Sequence, residues 1–353
     1  MNVQRARAQK SLPRRRFLTG VSALGAAAFI PGCTTTGADA DGLSQRERNK
    51  AIALKFKKAQ AEKDGEATIR QLLSPSYKRT RAGMAHLAAN AEGQGYPSPG
   101  PFLRTAFPDR VDAIEQVIAE GDTVGMLFRL TGTHHGNFYG IPATHRKVDV
   151  YEAGVLRIVD GSIVEGWFMA DEAGLLKQLG AKLPPRKDGK VIVPPVTNAG
   201  EDPDVVFKRL QSQPILTPED RHRLVVAQSK SSSPPKDYRA ANYKQLRQGF
   251  QHLRDYGVAN RVGKETPTLA LPDRRDRIDG FIAEGDTVWM RFKIAGTHKA
   301  NLYGLPPTGR RIEIPEIGIA RFADGKWQQG WYFGDELGMM LQLGALHMLG
   351  ESA

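Results

Sequence analysis

The sequence predicts an α+β fold that occurs twice in tandem, and three observations carry this prediction. The stretch GTHHGNFYGIPAT, which begins at Gly132, returns as GTHKANLYGLPPT at Gly296, 164 residues later. Each stretch follows a run of alternating apolar residues, the pattern of a strand with one buried face. In each half, helical patterns come first and hairpin-linked strand patterns follow, which favours α+β over a βαβ arrangement.

The repeat sets the predicted domain boundaries. It aligns without a gap from FPDR at Phe107 and LPDR at Leu271 to the QLGA stretches that end at Ala181 and Ala345. A length of 353 residues also favours two domains over one. The predicted ranges are a leader at 1–33, a linker at 34–43, a first domain (copy one) at 44–181, a Pro-rich linker at 182–216, a second domain (copy two) at 217–346 and a tail at 347–353.

Each copy is expected to begin with a helix. Capping signals stand at Ser44, with Glu47 three residues later, and at Thr217, followed by Pro218 and Asp220. A second helical stretch is predicted in each copy, YKRTRAGMAHLAAN in copy one and YKQLRQGFQHLRDYG in copy two. The strands should then form antiparallel hairpins, with turns at Asp160-Gly161 and Asp324-Gly325.

The N-terminus has the character of an export signal. Basic residues without any acid precede an apolar stretch from Phe17 to Ile30 that is too short to span a membrane. At the start of this stretch, RRRFL (Arg14 to Leu18) resembles the twin-arginine signal. At its end, IPGC, ending at Cys33, resembles a lipobox. We expect export to the periplasm or cell envelope with lipidation of Cys33. Cleavage after Ala40 is the alternative.

Charge and composition exclude several function classes. The net charge is +12, of which the leader supplies six, so about half of it belongs to the folded part. The remaining basic clusters are interleaved with acids, which argues against nucleic-acid binding. The sequence shows no phosphate-cradling Gly loop, no HExxH and no metal-ligand spacing, so we expect neither cofactor nor metal.

His134 and His298 are the first candidate catalytic residues. Each lies ten residues after the first apolar residue of its strand, so period-two counting places it on the apolar face. A histidine there has two interpretations, a hydrogen-bonded core residue or a group that faces a ligand pocket. The residues alone favour the core interpretation.

Asp171 and Asp335 are the second candidates. Each follows a Trp, Trp167 or Trp331, by four residues and precedes a short helical pattern that ends at Gly. An Asp at such a junction is a good N-cap. It would be a general base if it faced a pocket walled by the Trp and the apolar strand face, because burial raises a carboxyl pKa. Both interpretations stay open from the residues.

The remaining candidates are ligand contacts. Their roles would be apolar walls, a phenol donor to an oxyanion, and an amide that reaches a polar group of the ligand. They are Phe128 and Phe292, Tyr139 and Tyr303, and Gln178 and Gln342.

These motifs resemble the SnoaL-like polyketide cyclase family, also called ester cyclases, of the nuclear transport factor 2-like fold. The family pattern of FPD, AEGDxV, GTHxGxFxGxPPTGRR, an RFxDGKI hairpin, WxxxD and QLG is present in both copies. The resemblance implies a cone of curved antiparallel sheet closed by helices, with a pocket inside. It also implies an Asp acid/base at Asp171 and Asp335, a motif histidine at His134 and His298, and aldol-type ring closure without cofactor.

The sequence departs from the family at several motif positions. Copy one has PATHRK for PPTGRR, copy two has Ala300 for a motif Gly, and Lys78 and Lys244 stand where members commonly carry His. We therefore expect two SnoaL-like domains that pack as an intramolecular pseudo-dimer and bind a small apolar carbonyl compound. The alternative is a non-catalytic ligand-binding or envelope scaffold protein.

Overall fold

The protein is described from a computed structural model. The described residues are 44–62, 64–81, 85–92, 99–184, 186, 188–253, 255 and 267–349. The predicted export signal, Cys33 and the cleavage site after Ala40 lie outside them. Among the described residues, no helix is both long and apolar enough to cross a membrane.

Copy one places four of its helices before the strands β2 to β5. Ser44 caps the first helix by accepting a hydrogen bond from the Glu47 amide at 3.3 Å, as its sequence predicts. The elements are α1 (Gln45–Ala61), α2 (Gly65–Leu72), β1 (Leu73–Arg81), α3 (Ala85–Glu92), α4 (Pro99–Ala106), β2 (Val111–Glu120), β3 (Thr123–Thr133), β4 (Lys147–Val159), β5 (Ser162–Ala170) and α5 (Glu172–Leu179).

Copy two repeats this order. Thr217 and Asp220 form the predicted capping box at the start of its long helix. The elements are α6 (Pro203–Gln211), α7 (Pro218–Gln228), β6 (Arg239–Gln248), α8 (Pro267–Ala270), β7 (Arg275–Glu284), β8 (Thr287–Thr297), β9 (Arg311–Ala323), β10 (Lys326–Gly334), α9 (Glu336–Leu343) and a 3₁₀ turn (Leu346–Leu349).

Each copy contains one five-stranded sheet, in the order β1-β5-β4-β3-β2 and β6-β10-β9-β8-β7. The α+β fold class is confirmed. The sheets are mixed, however, because β1 runs parallel to β5 and β6 parallel to β10. The expectation of purely antiparallel sheets was wrong at this one edge in each copy.

The first part of the predicted second helix is a strand. Tyr77 to Arg81 belong to β1, where Thr80 pairs with Trp167 and Arg81 with Phe168. The helix begins only at Ala85. Three of these five residues are basic, and they obscured the strand pattern, because an edge strand is half exposed and its alternation is weak.

The two predicted hairpin turns are confirmed. Asp160 and Gly161 have φ values of 48° and 76°, and Asp324 and Gly325 have 51° and 70°. Two consecutive left-handed residues make the turn whose twist matches an antiparallel hairpin, and Asp-Gly is a preferred pair there.

The second half of the stretch predicted as linker folds onto copy two. Asp202 caps α6, and Val206 of this helix is buried in the copy-two core. The backbone of Glu201 also pairs with Ile278 on β7. Residues from about 201 onward therefore extend copy two, and the extended Pro-rich stretch before them connects the copies.

The outer faces of the two sheets pack against each other. Leu127, Val155 and Met169 of copy one form one buried cluster with Trp289 and Phe333 of copy two. The inner face of each sheet packs instead against the helices of its own copy. The chain thus has one interior beneath each sheet and a shared apolar layer between the sheets.

Candidate functional site

Copy one contains a cavity of about 400 Å³ between its helices and the inner face of its sheet. One side is apolar and the other carries arginines. The lining residues are Phe56, Gln60, Glu66, Ile69, Leu73, Tyr77, Arg79, Arg81, Leu103, Arg104, Arg110, Glu152 and Phe168. An apolar enclosure with a few convergent polar groups is the usual form of a small-molecule site.

A buried ion pair forms the polar floor of this cavity. The Arg81 guanidinium donates to both oxygens of Glu152, at 2.7 and 3.0 Å. Burial alone would raise the pKa of Glu152, but the charges of Arg81 and Lys57 hold it below its usual value. Glu152 is therefore an ionised carboxylate at neutral pH, and its orientation is fixed by the bidentate contact.

Lys57 lies behind the floor in a second ion-pair network. Its ammonium is 3.0 Å from Asp112 and 3.4 Å from the ring centroid of Phe128. Arg110 donates to both oxygens of Asp112. Burial and the neighbouring Arg110 lower the pKa of Lys57 to about 8. Phe128, predicted to contact ligand, is thus covered by this ammonium and is absent from the cavity lining.

Arg79 is a cavity arginine whose charge is not neutralised by a carboxylate. Arg104, another lining residue, donates instead to the backbone carbonyls of Gln60 and Glu62. Among the residues that the structure describes, no acid lies within ion-pair distance of Arg79, and its guanidinium carbon is 5.4 Å from the ring centroid of Phe168. The Arg79 side chain is exposed, and desolvation by nearby protein atoms together with the charge of Arg81 lowers its pKa, yet arginine stays protonated at neutral pH. It is available to an oxyanion.

Copy two keeps the ion pairs and has larger rings in its core. Lys230 contacts Asp276 at 2.8 Å and lies over Phe292, and Arg247 pairs with Glu316. Phe322 and Trp327 occupy the positions of Ile158 and Ile163 in copy one, and Trp327 packs edge-on to Tyr243, the counterpart of the cavity-lining Tyr77. Gln245 stands at the position of Arg79.

His134 and His298 are fully buried anchors of the loop that follows β3 and β8. The Nδ1 atom of His134 accepts from the Thr144 amide at 3.2 Å, and that of His298 accepts from the Thr308 amide at 3.2 Å. Burial lowers the pKa of both rings. Because an N–H donates to Nδ1, each ring is neutral with its proton on Nε2. This arrangement agrees with the core interpretation, and neither histidine lines the copy-one cavity.

Asp171 and Asp335 lie at the contact between the copies. Each caps the helix that follows it, accepting from Gly174 or Gly338 at 2.8 Å. The oxygens of Asp335 are 3.2 and 3.3 Å from Nε2 of His86 in copy one, and Asp171 accepts from the Gly249 amide of copy two. The predicted position in a pocket of their own copy was wrong, because these side chains point across to the other copy.

Trp167 and Trp331 face away from the copy-one cavity. Their rings belong to the layer between the sheets, where Trp331 packs edge-on to Tyr151 at 4.8 Å and Trp167 lies beneath Arg291. The strand alternation explains this, because Phe168, one residue on from Trp167, is the side chain that lines the cavity. The predicted Trp walls were assigned to the wrong face of the sheet.

Tyr139 and Tyr303 occupy the same strained position in the two copies. Both have φ of 50°, a left-handed value that is uncommon for tyrosine. Tyr139 is buried, and burial raises its pKa while the nearby charges of Arg81 and Arg79 lower it. The phenol of Tyr139 is thus close to the cavity arginines but outside the lining residues.

Gln178 and Gln342 are structural bridges rather than ligand contacts. Gln178 accepts from the Asp149 amide and donates to the Asp149 carbonyl. Gln342 does the same with Glu313, and it also donates to the Pro194 carbonyl. Their amide groups join the last helix of each copy to a sheet strand.

Sequence reasoning missed the cavity residues themselves. Arg79 and Arg81 were placed on a helix, and Glu152 was treated as part of a strand pattern. The available signal was the repetition of Arg110, Asp112 and Glu152 as Arg274, Asp276 and Glu316, since charged residues that recur on apolar strand faces indicate buried ion pairs. It also missed His86 and Glu172, which meet the predicted candidate Asp335 at the contact between the copies.

Comparison with known proteins gives the family. The model of the SnoaL-like polyketide cyclase family matches residues 102–179 and 241–343, slightly more than half of the chain. The aklanonic acid methyl ester cyclases DnrD of Streptomyces peucetius and DauD of Streptomyces sp. strain C5 are each 43% identical over 58 residues. That match covers 16% of this chain and 40% and 36% of theirs, so the chain spans about two fifths of these relatives.

Solved structures resemble this chain over the length of one copy. IdmH from Streptomyces antibioticus is 26% identical with a TM-score of 0.31, covering 38% of this chain and 99% of its own. A nuclear transport factor 2-like protein from Burkholderia thailandensis is 18% identical with a TM-score of 0.28, covering 37% and 95%. On the family match, the chain belongs to the SnoaL-like polyketide cyclase family and contains its domain twice.

Proposed function

We propose that copy one binds a small, largely apolar compound that carries a carbonyl or carboxylate oxygen. The observation that carries this proposal is Arg79, a cation with no carboxylate partner among the described residues, on the polar wall of a cavity whose other side is apolar. Phe56, Ile69 and Phe168 would contact the body of the ligand. A cavity of about 400 Å³ suits a compound of two or three fused rings or fewer.

The reaction that this arrangement supports best is proton abstraction beside the carbonyl. Glu152 is the buried, ionised carboxylate in the cavity, so it would take the proton, and Arg79 would stabilise the enolate oxygen that forms. An enolate could then attack a second carbonyl of the same molecule, as an aldol ring closure requires. In this proposal Asp171 and Asp335 serve as caps rather than bases.

A non-catalytic ligand-binding protein is the second candidate. The observation in its favour is the bidentate contact from Arg81, which holds the pKa of Glu152 low and makes it a weak base. The same cavity would then bind a ligand without turning it over. The two candidates differ in one measurable property, the exchange of a ligand proton.

Binding is tested with 1-naphthoate and 1-acetonaphthone, a carboxylate and a ketone on the same ring system, titrated by calorimetry into the chain from residue 41 onward. Arg79→Gln should weaken naphthoate at least tenfold and the ketone less, because a full charge gains more from the guanidinium. The matched control is Gln245→Arg in copy two, which should change neither affinity. Equal affinity of the native and Arg79→Gln chains would overturn the site.

Turnover is tested by following deuterium uptake from solvent into the methyl group of 1-acetonaphthone by NMR. The enzyme proposal expects uptake above the buffer rate, lost in Glu152→Gln and kept in Asp171→Asn. Glu316→Gln is the matched control, because it breaks the equivalent ion pair in copy two away from the cavity. Binding without enhanced uptake would favour the non-catalytic candidate.

We also propose that the chain is exported and anchored through a lipid on Cys33. Replacing Arg14 and Arg15 with Lys should retain the protein in the cytoplasm, because the twin-arginine pattern requires both. Cys33→Ser should release it from the membrane fraction. Membrane association of the Cys33→Ser chain would contradict the lipid anchor.

A further inference from the structure

Three side chains with metal-binding atoms meet at the contact between the two copies. His86 comes from α3 of copy one, Glu172 from the first turn of α5, and Asp335 from the residue that caps α9 in copy two. All three are buried, with exposures of 7, 2 and 6%. His86 and Asp335 are 249 residues apart in sequence, so no motif spacing could have signalled the group.

The distances match a small cation with mixed nitrogen and oxygen ligands. Nε2 of His86 is 3.2 Å from the nearer oxygen of Asp335 and 3.8 Å from Oε2 of Glu172. The three ligand atoms lie within 4.8 Å of one another. A tetrahedral zinc site with bonds near 2.05 Å has ligand atoms about 3.3 Å apart, so side-chain shifts of an ångström or less would complete it.

An unsatisfied atom points into this group. Oε1 of Glu172 accepts from the Leu87 amide at 2.7 Å, whereas Oε2 is buried and has no hydrogen-bond partner. A buried carboxylate oxygen without a partner is costly, and such atoms in a folded protein call for an explanation such as a bound ion. The histidine nitrogen and the second carboxylate lie on the side of Glu172 where that ion would sit.

We propose that His86, Glu172 and Asp335 bind one divalent transition-metal ion, with zinc as the first candidate, and that this ion ties copy one to copy two. One imidazole and two carboxylates are ligands that zinc accepts. A dication would neutralise the two buried carboxylates while the imidazole binds as a neutral ring. This site lies outside the copy-one cavity lining and is independent of the function proposed there.

The related position in copy two provides an internal comparison. There, Nδ1 of His252 is 3.4 Å from Glu336, and the carboxylate from the other copy, Asp171, is occupied by the amides of Gly174 and Gly249. Among the described residues, the trio of His86, Glu172 and Asp335 is the one group whose three ligand atoms approach within 4.8 Å. We therefore expect one ion per chain rather than two.

The test measures zinc retained after equilibrium dialysis, by elemental analysis of the chain from residue 41 onward. His135→Ala is used as the background, because the exposed rings of His135 and His145 lie 3.3 Å apart at Nδ1 and could bind zinc adventitiously. The background should retain about one zinc per chain. Asp335→Asn should weaken zinc binding at least tenfold, and Asp171→Asn, the matched control, should leave it unchanged.

Asn can replace Asp as a cap, so both variants are expected to fold. Retention of no zinc by the background, or equal binding by the two Asn variants, would overturn the proposal. If the Asp335→Asn chain does not fold, X-ray absorption spectroscopy of the zinc-loaded His135→Ala chain identifies the zinc ligands instead. One imidazole with carboxylate oxygens is the predicted ligand set. Two or more imidazoles, or none, would refute it.

Discussion

The two copies share their motifs and differ inside. Both bury a Lys–Asp pair and an Arg–Glu pair beneath the sheet. In copy one, a cavity lies beside these charges. In copy two, Phe322 and Trp327 are buried in the core at the positions of Ile158 and Ile163. The comparison teaches that the ion pairs belong to the framework of the fold, whereas the size of the neighbouring side chains decides whether a ligand can enter.

The copies also differ at the residue that we propose contacts the ligand oxygen. Arg79 on β1 of copy one corresponds to Gln245 on β6 of copy two. The loss of the cation and the growth of the rings occur in the same copy. We therefore assign ligand binding to copy one, and we assign to copy two the role of covering the outer face of the copy-one sheet.

Filling the copy-one cavity should have the largest effect on this comparison. Ile163→Trp would place an indole beside Tyr77, as Trp327 lies beside Tyr243, and should abolish naphthoate binding. Overpacking is expected to cost about 1–3 kcal/mol of stability. The reverse change, Trp327→Ile, should leave naphthoate binding intact. Calorimetric titration of both chains checks this, and unchanged binding by Ile163→Trp would contradict the assignment.

Breaking the Arg–Glu pair should destabilise both copies, and copy one more. Glu152→Gln removes the buried carboxylate that pairs with Arg81, at a cost of up to about 3–5 kcal/mol. Glu316→Gln should cost less, because Arg247 is 23% exposed and Arg81 is 12% exposed. Urea unfolding monitored by circular dichroism measures both losses. A larger loss for Glu316→Gln would show that exposure does not set the cost.

The contact between the copies should respond to pH through His86. The charge of Glu172 and the hydrogen bond that His86 Nε2 donates to Asp335 outweigh burial and raise the pKa of His86 to about 9. This exceeds the unfolded value, so the stabilisation is complete below about pH 6.5 and is lost as pH rises through 9, about 2–3 kcal/mol between pH 7 and 10.

The measurement is the difference in unfolding free energy between the native and His86→Ala chains, in chelator, across pH 6–10. A difference is needed because the lowered pKa of Lys57 acts in the opposite direction in the same range. The control chain His252→Ala should show the same pH-dependent stabilisation by His86 as the native chain. A native-minus-His86→Ala difference that does not change with pH would exclude His86 as its source.

The smallest expected effects come from the glutamine bridges. Gln342→Ala should cost about 2 kcal/mol, because its buried amide satisfies three backbone groups. Gln178→Ala should cost about 1 kcal/mol, because its two partners are exposed to water. Thermal unfolding ranks the two, and the opposite order would indicate that the exposed bridge is the stronger one.

The sequence predicted the fold well because local patterns carry it. The helix caps at Ser44 and Thr217, the Asp-Gly turns and the alternating strands depend on neighbouring residues, and the structure confirms each of them. The helix prediction for Tyr77 to Arg81 of β1 was wrong because the partner strand, β5, is about 90 residues away in sequence, and an edge strand has a weak local pattern. Local periodicity does not show which distant strand a segment pairs with, or in which register.

The site was predicted less well for a related reason. Asp171 and Asp335 were correctly placed at helix starts, but the direction of their side chains depends on how the copies pack. Trp167 and Phe168 are neighbours that face opposite sides of one sheet. The prediction chose the wrong face, so it placed Trp167 in the cavity wall, whereas Phe168 lines the cavity and Trp167 lies in the layer between the sheets. These features depend on tertiary contacts, which only the structure supplies.

The central claim is that ligand binds in copy one and not in copy two. A crystal structure of the chain soaked with 1-naphthoate tests this most directly. The account predicts one naphthoate per chain, with its ring against Phe168 and its carboxylate within hydrogen-bond distance of Arg79. A naphthoate beside Gln245 in copy two, or in the layer between the sheets with the copy-one cavity empty, would contradict it.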